Sequence, residues 1–145
     1  MKGLKFGKLK IGGDSPTVVI AEIADSHGGD IKTAKKMVDE IKKTGAHVAK
    51  FQIHLPDTEM VEGKVMMWDG DLYEILKKNL FTPEMHKEIM NYCEKVGIEY
   101  LCTPFCPTAV DILNDLGVKA FKIGSGEVTN LPQHRKLAKI SAKTE

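Results

Sequence analysis

Two lysines, Lys50 and Lys122, sit inside apolar runs, Val48-Ala49-Lys50-Phe51-Gln52 and Phe121-Lys122-Ile123-Gly124. An ammonium group in such a run is costly unless a partner or a ligand meets it. Two of them converging on one place would bind an anion, and a small phosphate ester suits two point charges supplemented by hydroxyls. Thr103, in Cys102-Thr103-Pro104-Phe105, and Ser125, in Gly124-Ser125-Gly126-Glu127, would supply those hydroxyls, and the flanking glycines let backbone approach closely. Glu22 and Glu127 are carboxylates suited to proton handling, and Gln52 offers an amide. Each signal has a plainer reading alone. A lone Lys or Glu closes a buried ion pair, Gly-Ser-Gly is a turn, and Asn130 is a helix N-cap. Their recurrence at equivalent places along the chain is what favours a site.

Those places are the ends of strands. Met1 to Ile11 alternates Lys with apolar residues, and Gly12-Gly13-Asp14-Ser15-Pro16 is a turn cluster, so residues 1–16 read as a short N-terminal hairpin. Residues 17–145 then repeat a strand–helix unit. Strands are expected at Thr17–Ala24, His47–His54, Ile98–Phe105 and Val118–Gly124, each a dense apolar run. Helices follow at Ile31–Thr44, from Pro83 to about Lys95, at Pro107–Leu116 and from Leu131 to about Ala142. Asp30, Thr82 and Asn130 are their caps, and Gly45, Gly97 and Gly117 their stops. Alternating strands and helices imply an α/β fold with a parallel sheet and right-handed crossovers.

Strand parity separates an open sheet from a barrel. Val48, Lys50, Gln52 and His54 share one face, and Ala49, Phe51 and Ile53 the other; Lys122 opposes Phe121 and Ile123, and Glu22 opposes Ala21 and Ile23. Polar groups on the inner face near the C-terminal strand ends describe the mouth of a (β/α)8 barrel. Four units are half of such a barrel, which takes roughly 250 residues. The expected fold is therefore the first four units of a TIM barrel, a half-barrel preceded by the hairpin.

Bulk properties set the class. Basic and acidic residues nearly balance, 21 against 20, with no basic stripe, which excludes nucleic acid as the expected partner. No apolar run approaches the ~20 residues of a membrane helix, and the N-terminus lacks a signal-peptide core, so a cytoplasmic protein without a membrane partner is expected. Three cysteines form no disulfide framework, and Cys102 with Cys106 lacks the second pair of a zinc site. His54 faces the mouth and comes nearest to a metal ligand among the histidines. His86 and His134 read as surface helix positions, and His27 as ordering its loop or touching substrate. The stretch from Pro56 to Phe81, about 26 residues, has the length of a lid.

Ile20-Ala21-Glu22-Ile23 with His27-x-Gly29-Asp30, Val48-Ala49-Lys50-Phe51-Gln52, Thr82-Pro83-Glu84-Met85-His86, Cys102-Thr103-Pro104-Phe105 and Phe121-Lys122-Ile123-Gly124-Ser125-Gly126-Glu127-x-Thr129-Asn130-x-Pro132 together resemble the sialic acid (N-acetylneuraminate) synthase family. The matches run in order over most of the chain. The resemblance implies a transferase of carbohydrate biosynthesis. That enzyme condenses phosphoenolpyruvate with an N-acetylmannosamine-type amino-sugar aldehyde, releasing phosphate and giving a nine-carbon sugar acid. It implies that Lys50, Thr103, Lys122 and Ser125 bind phosphoenolpyruvate, that Gln52 lines the sugar side, and that Glu22 and Glu127 are catalytic. It also implies a divalent metal, Mn or Mg, whose two histidine ligands belong to later barrel strands beyond Glu145. No metal ligand is expected within these 145 residues, and the second half-barrel and the C-terminal antifreeze-like domain of the family are absent from them.

This chain departs from the family at Ala24, where Gly is usual, at Ser26, where Asn is usual, and at Trp68-Asp69-Gly70-Asp71, which does not match the expected sugar-contacting stretch. The isolated chain is expected to be inactive. Two other readings stand beside it. One is a non-catalytic half-barrel that pairs its exposed edges as a homo-oligomer or with a complementary chain. The other is a different phosphoenolpyruvate-dependent sugar-acid synthase.

Overall fold

The computed structural model describes residues 3–61, 66–67 and 70–142. Trp68 and Asp69 lie outside these described residues. The chain opens with a hairpin, β1 (Leu4–Phe6) against β2 (Leu9–Ile11), antiparallel with Leu4 opposite Ile11. Strand β3 (Ile20–Ala24), helix α1 (Ile31–Lys43) and strand β4 (Val48–Ile53) follow. After β4 come a short helix α2 (Pro56–Glu59), a two-residue ladder of β5 (Met66–Met67) with β6 (Gly70–Asp71), and helix α3 (Leu72–Asn79). The long segment expected to be a lid thus has secondary structure of its own. Helix α4 (Pro83–Val96), strand β7 (Glu99–Pro104), helix α5 (Pro107–Leu116), a 3-10 turn at Ser125–Glu127 and helix α6 (Leu131–Ser141) complete the described chain.

Strands β3, β4 and β7 form a parallel sheet in that order, so β4 is central. The α/β character and the parallel sheet agree with the sequence. Two strands are shorter than expected. Thr17–Val19 lies outside β3; the Val19 N–H donates to the His47 imidazole Nδ1 at 3.1 Å, and the Val19 carbonyl accepts from the His47 N–H at 3.0 Å. The expected strand Val118–Gly124 is reduced to one parallel bridge, Cys102 to Phe121, with the Lys122 N–H donating to the Cys102 carbonyl at 3.0 Å. That segment has only β7 as a strand neighbour among the described residues, and Lys119 is drawn aside to the Glu99 carboxylate at 3.1 Å.

The helices start and stop where local chemistry dictates. Asp30 accepts from the Lys32 and Thr33 N–H groups, Thr82 from Met85 and Asn130 from Gln133, each satisfying an orphan donor of a first turn. Pro83 and Pro107 stand at first-turn positions, and Gly97 and Gly117 end α4 and α5 in the left-handed region.

The sheet has two unlike faces. On one, Ile23, Ala49, Phe51, Ile53, Tyr100 and Cys102 pack against Ala34 and Val38 of α1, Ile89 and Cys93 of α4, and Ala109 and Leu113 of α5. Phe121 packs against the same core. On the other face Val48 and Leu101 meet Phe6 of the hairpin, with Leu9, Val18 and Ala120 around them. The hairpin therefore covers the N-terminal part of that face and leaves its C-terminal part to polar residues.

Candidate functional site

Alternation along each strand sets what stands on the uncovered face. Lys50 lies two residues after the apolar Val48, and Thr103 two after Leu101. Register brings Glu22 directly opposite Lys50 and Gln52 opposite Thr103. Phe121 packs into the helix-side core and bridges Cys102, and the Lys122 N–H after it donates to the Cys102 carbonyl at 3.0 Å, which sets Lys122 beside Thr103 along the chain.

Lys50 is only 8% exposed and ion-pairs with Glu22, whose side chain is about half exposed. The Lys50 ammonium also lies 3.4 Å from the Thr103 hydroxyl oxygen, at the outer limit of a hydrogen bond. A bulge between Glu22 and Ala24 puts Ala24 opposite Phe51. Ala24 takes φ +50, and its N–H donates to the Glu22 Oε1 at 3.0 Å. The bulge re-aims the chain so that Asp25 enters the mouth.

Beside this ion pair is a cavity of about 650 Å³, lined by Gln52, His54, Asp25, Glu59, Phe105 and Glu127 among others. Helix α3 contributes Leu72, Ile75, Leu76 and Asn79 as an apolar wall. Glu127 reaches the cavity from the 3-10 turn, where its Oε2 accepts from the Asn130 Nδ2 at 2.7 Å. Ser125, at the start of that turn, is exposed and does not line the cavity. Register sets Glu22, Lys50, Gln52 and Thr103 side by side, Gln52 and Glu127 line the cavity, and Lys122 and Ser125 lie outside that lining, on the segment after the bridge at Phe121.

Sequence reasoning missed Asp25 and Glu59. The Glu59 Oε1 is 2.6 Å from the His54 Nδ1, and the Asp25 Oδ2 is 3.5 Å from its Nε2. Gln52 Oε1 is 3.1 Å from that same Nε2, and the ring stacks on Phe105 at 4.1 Å between centroids. Burial raises the Asp25 carboxyl above its ordinary range, an effect that His54 opposes and that Glu59 and Glu22 reinforce. The signal for Glu59 was its place in the first turn of a helix that opens at Pro56, just after His54.

His86 corrects an expectation. It is buried rather than on a helix surface, with Nδ1 2.9 Å from the Tyr100 hydroxyl and its ring edge against Phe81. His134 is half-buried, and its Nε2 meets the Glu127 carbonyl at 2.9 Å. His27 is buried and stacks on Phe81 at 3.8 Å, and its Nδ1 accepts from the Gly29 N–H at 3.1 Å, so it orders its loop. Burial pulls both His27 and His86 down to about 4.

No group of three or more His, Cys, Asp and Glu side chains among the described residues could hold a metal ion. Asp25 and Glu59 face opposite nitrogens of the His54 ring, so one ion could not use all three. These residues do not fit a divalent metal. Cys102 is fully buried, its thiol pushed up to about 12 by burial, and Cys106 serves as the N-cap of α5, its Sγ 3.4 Å from the Ala109 N–H. Among the described residues no helix is long and apolar enough to cross a membrane.

A parallel α/β sheet with charged and amide groups at the C-terminal strand ends defines the class of the chain. The profile of the NeuB family matches residues 37–144. The chain is 36% identical over 135 residues to the N,N'-diacetyllegionaminic acid synthase of Campylobacter jejuni, covering 88% of this chain and 40% of that protein. It is 35% identical over 137 residues to the N-acetylneuraminate-9-phosphate synthase of Homo sapiens, covering 89% of this chain and 38% of that protein. Its fold superposes on the citrate complex of the N-acetylneuraminic acid (sialic acid) synthetase of Leptospira borgpetersenii with a TM-score of 0.83 and 27% identity, covering 96% of this chain and 47% of that one. The chain belongs to the NeuB family. It spans about two fifths of the length of the curated relatives it matches.

Proposed function

We propose that this chain is the N-terminal half of the barrel of a sugar-acid synthase, which condenses phosphoenolpyruvate with an N-acetylmannosamine-type aldehyde sugar to a nine-carbon sugar acid. The observation that carries the reading is the buried Lys50 held between Glu22 and Thr103, with the backbone of Lys122 bonded beside them to Cys102. Two ammonium groups converging there would suit the carboxylate and phosphate of phosphoenolpyruvate. Ser125 would add its hydroxyl when the loop closes on the ligand.

In the reaction the methylene carbon of phosphoenolpyruvate forms a bond to the aldehyde carbon. Water then adds at the carbon bearing the phosphate, and phosphate leaves. Glu22, paired to Lys50 yet half exposed, can take the proton that the adding water releases and pass it to the aldehyde oxygen as that becomes a hydroxyl. Glu127 lines the adjoining cavity, held by Asn130, and would orient the sugar together with Gln52. The divalent metal implied by the family has no ligand set among the described residues, so no step here is assigned to it. The relatives extend well past the matched segment, and we assign turnover to the completed barrel in the cytoplasm.

Titration of the chain with phosphoenolpyruvate, followed by phosphorus NMR, tests the reading. Saturable binding that Lys50→Met and Lys122→Met each weaken at least about tenfold is expected, since each removes one charge-assisted contact. Binding unchanged in both variants would overturn it.

A further inference from the structure

Behind Gln52 the cavity mouth contains an ordered chain of polar contacts, through His54 and Glu59, to which the proposed reaction gives no part. His54 sits at its centre. Glu59 Oε1 faces Nδ1 at 2.6 Å, and the other Glu59 oxygen accepts from the Leu55 N–H at 3.1 Å, so this carboxylate is pinned from both sides. Both the His54 and the Glu59 side chains are at most a tenth exposed. The Phe105 ring lies parallel to the imidazole at 4.1 Å and fixes its plane. The second nitrogen, Nε2, then has no freedom in what it faces, which is Gln52 Oε1 at 3.1 Å and Asp25 Oδ2 at 3.5 Å.

Each of these neighbours is an oxygen. A bare Nε2 lone pair would oppose both the amide oxygen and the carboxylate, whereas an N–H satisfies the nearer and attracts the farther. Nδ1 needs its own hydrogen for Glu59. Glu22 and Glu127 are the remaining carboxylates at this end of the sheet, and they add negative potential rather than competing donors.

We propose that Glu59, His54 and Gln52 form a positioning relay in which both ring nitrogens of His54 donate, one to Glu59 and the other to the Gln52 carbonyl. The Gln52 amide is thereby held with its NH2 toward the cavity. Residue 52 acts as a hydrogen-bond donor, and the ligand it selects presents a carbonyl or hydroxyl oxygen. The identification of that oxygen as belonging to an acceptor sugar rests on the proposed function; the relay itself does not. His54 and Glu59 are positioning residues that act through Gln52. The expectation that His54 comes nearest to a metal ligand is replaced by this role, since both of its nitrogens are engaged.

Nitrogen-15 NMR of the intact chain labelled in histidine and glutamine tests the relay near pH 7, with the His54 signal assigned by its loss in His54→Phe, which keeps the stack on Phe105. Two protonated ring nitrogens at His54 are expected, together with a Gln52 side-chain NH2 that makes no bond to the ring and is told apart from that of Gln133, the other glutamine of the chain, which donates to the Pro104 carbonyl. Glu59→Gln should convert the ring to a form with one bare nitrogen. A bare nitrogen at His54 in the unsubstituted chain would overturn the relay, because Gln52 would then have to turn its NH2 inward. Addition of N-acetylmannosamine provides a separate arm. A shift of the Gln52 NH2 supports the sugar reading, and its absence beside a doubly protonated ring counts against that reading alone.

Discussion

Lys50 shows how one side chain can be both structural and poised for a ligand. Its ammonium is buried, but its partner Glu22 remains half in water, so the pair is anchored on one side only. Lys50→Met keeps the length of the side chain and removes the charge. Stability should change by no more than about 1 kcal/mol, since the freed Glu22 rehydrates. A urea midpoint displaced far beyond that would mean the pair is chiefly structural. The histidines away from the mouth carry a different consequence. His27 and His86 are held near 4 by burial, below the ordinary 6.5, so the unfolded chain takes up protons before the folded one does. Their contribution is fully present above about pH 6.5 and is lost as the pH falls toward 4. For His86 the loss amounts to roughly 3 kcal/mol. Denaturation at about pH 7.5 and pH 4.5 should show a marked fall in stability, and the fall should be smaller in His86→Phe. Equal slopes in the two proteins would exclude His86 as a source.

At the scale of elements, the backbone is strained in the loop from β3 to α1. Ala24 holds φ +50 because the bulge after Glu22 needs a left-handed residue there, a conformation that costs a side chain about 1 kcal/mol. Ala24→Gly should therefore raise stability by roughly that amount, measured by urea denaturation, less what the glycine adds to unfolded-state freedom. Five residues on, Gly29 has φ +75, and a Cβ there would lie 2.8 Å from the Lys78 carbonyl at the end of α3. Gly29→Ala should be destabilising by more than 1 kcal/mol on the same order-of-magnitude scale and should loosen the α3 wall of the cavity. The helix ends were legible in the sequence because capping is local chemistry: Asp30, Thr82-Pro83, Gly97, Gly117 and Asn130 carry their own signals. The placing of Lys50 and Gln52 on the face opposite Phe51 was legible because alternation within one strand is local. The single bridge at Phe121 was not, since strand length depends on neighbours rather than on the run itself. Burial of His86 had a signal in its spacing with Ile89 and Cys93 along α4, but a polar residue at such a position is readable only once Tyr100 is known to face it. The contacts of Asp25 and Glu59 with His54 depend on a bulge and a helix entry that meet in space, and no local pattern encodes that meeting.

At the scale of the whole molecule, the sheet ends at β3, which has a strand neighbour on one side only among the described residues. Val19 and Ile20 beside that edge are 50% and 48% exposed. At the far side, beyond the bridge at Phe121, Ile123, Val128 and Leu131 are also exposed. Unpaired backbone groups flanked by apolar side chains form a template for another strand. In the completed barrel proposed above, further strands would cover both edges. The chain on its own must meet water there or find a partner, either a second copy or a complementary half. Sedimentation velocity is expected to show reversible association that grows with concentration, and the double substitution Val19→Lys with Ile20→Lys should shift it toward monomer, since edge lysines block strand addition. Helical content should be unchanged, because neither residue belongs to the helix-side core. If the unsubstituted chain remains a monomer at every concentration with its full helical signal, the edges are tolerated in water, and the pairing of this half with another must be driven by ligand or by the rest of the chain rather than by the exposed strand.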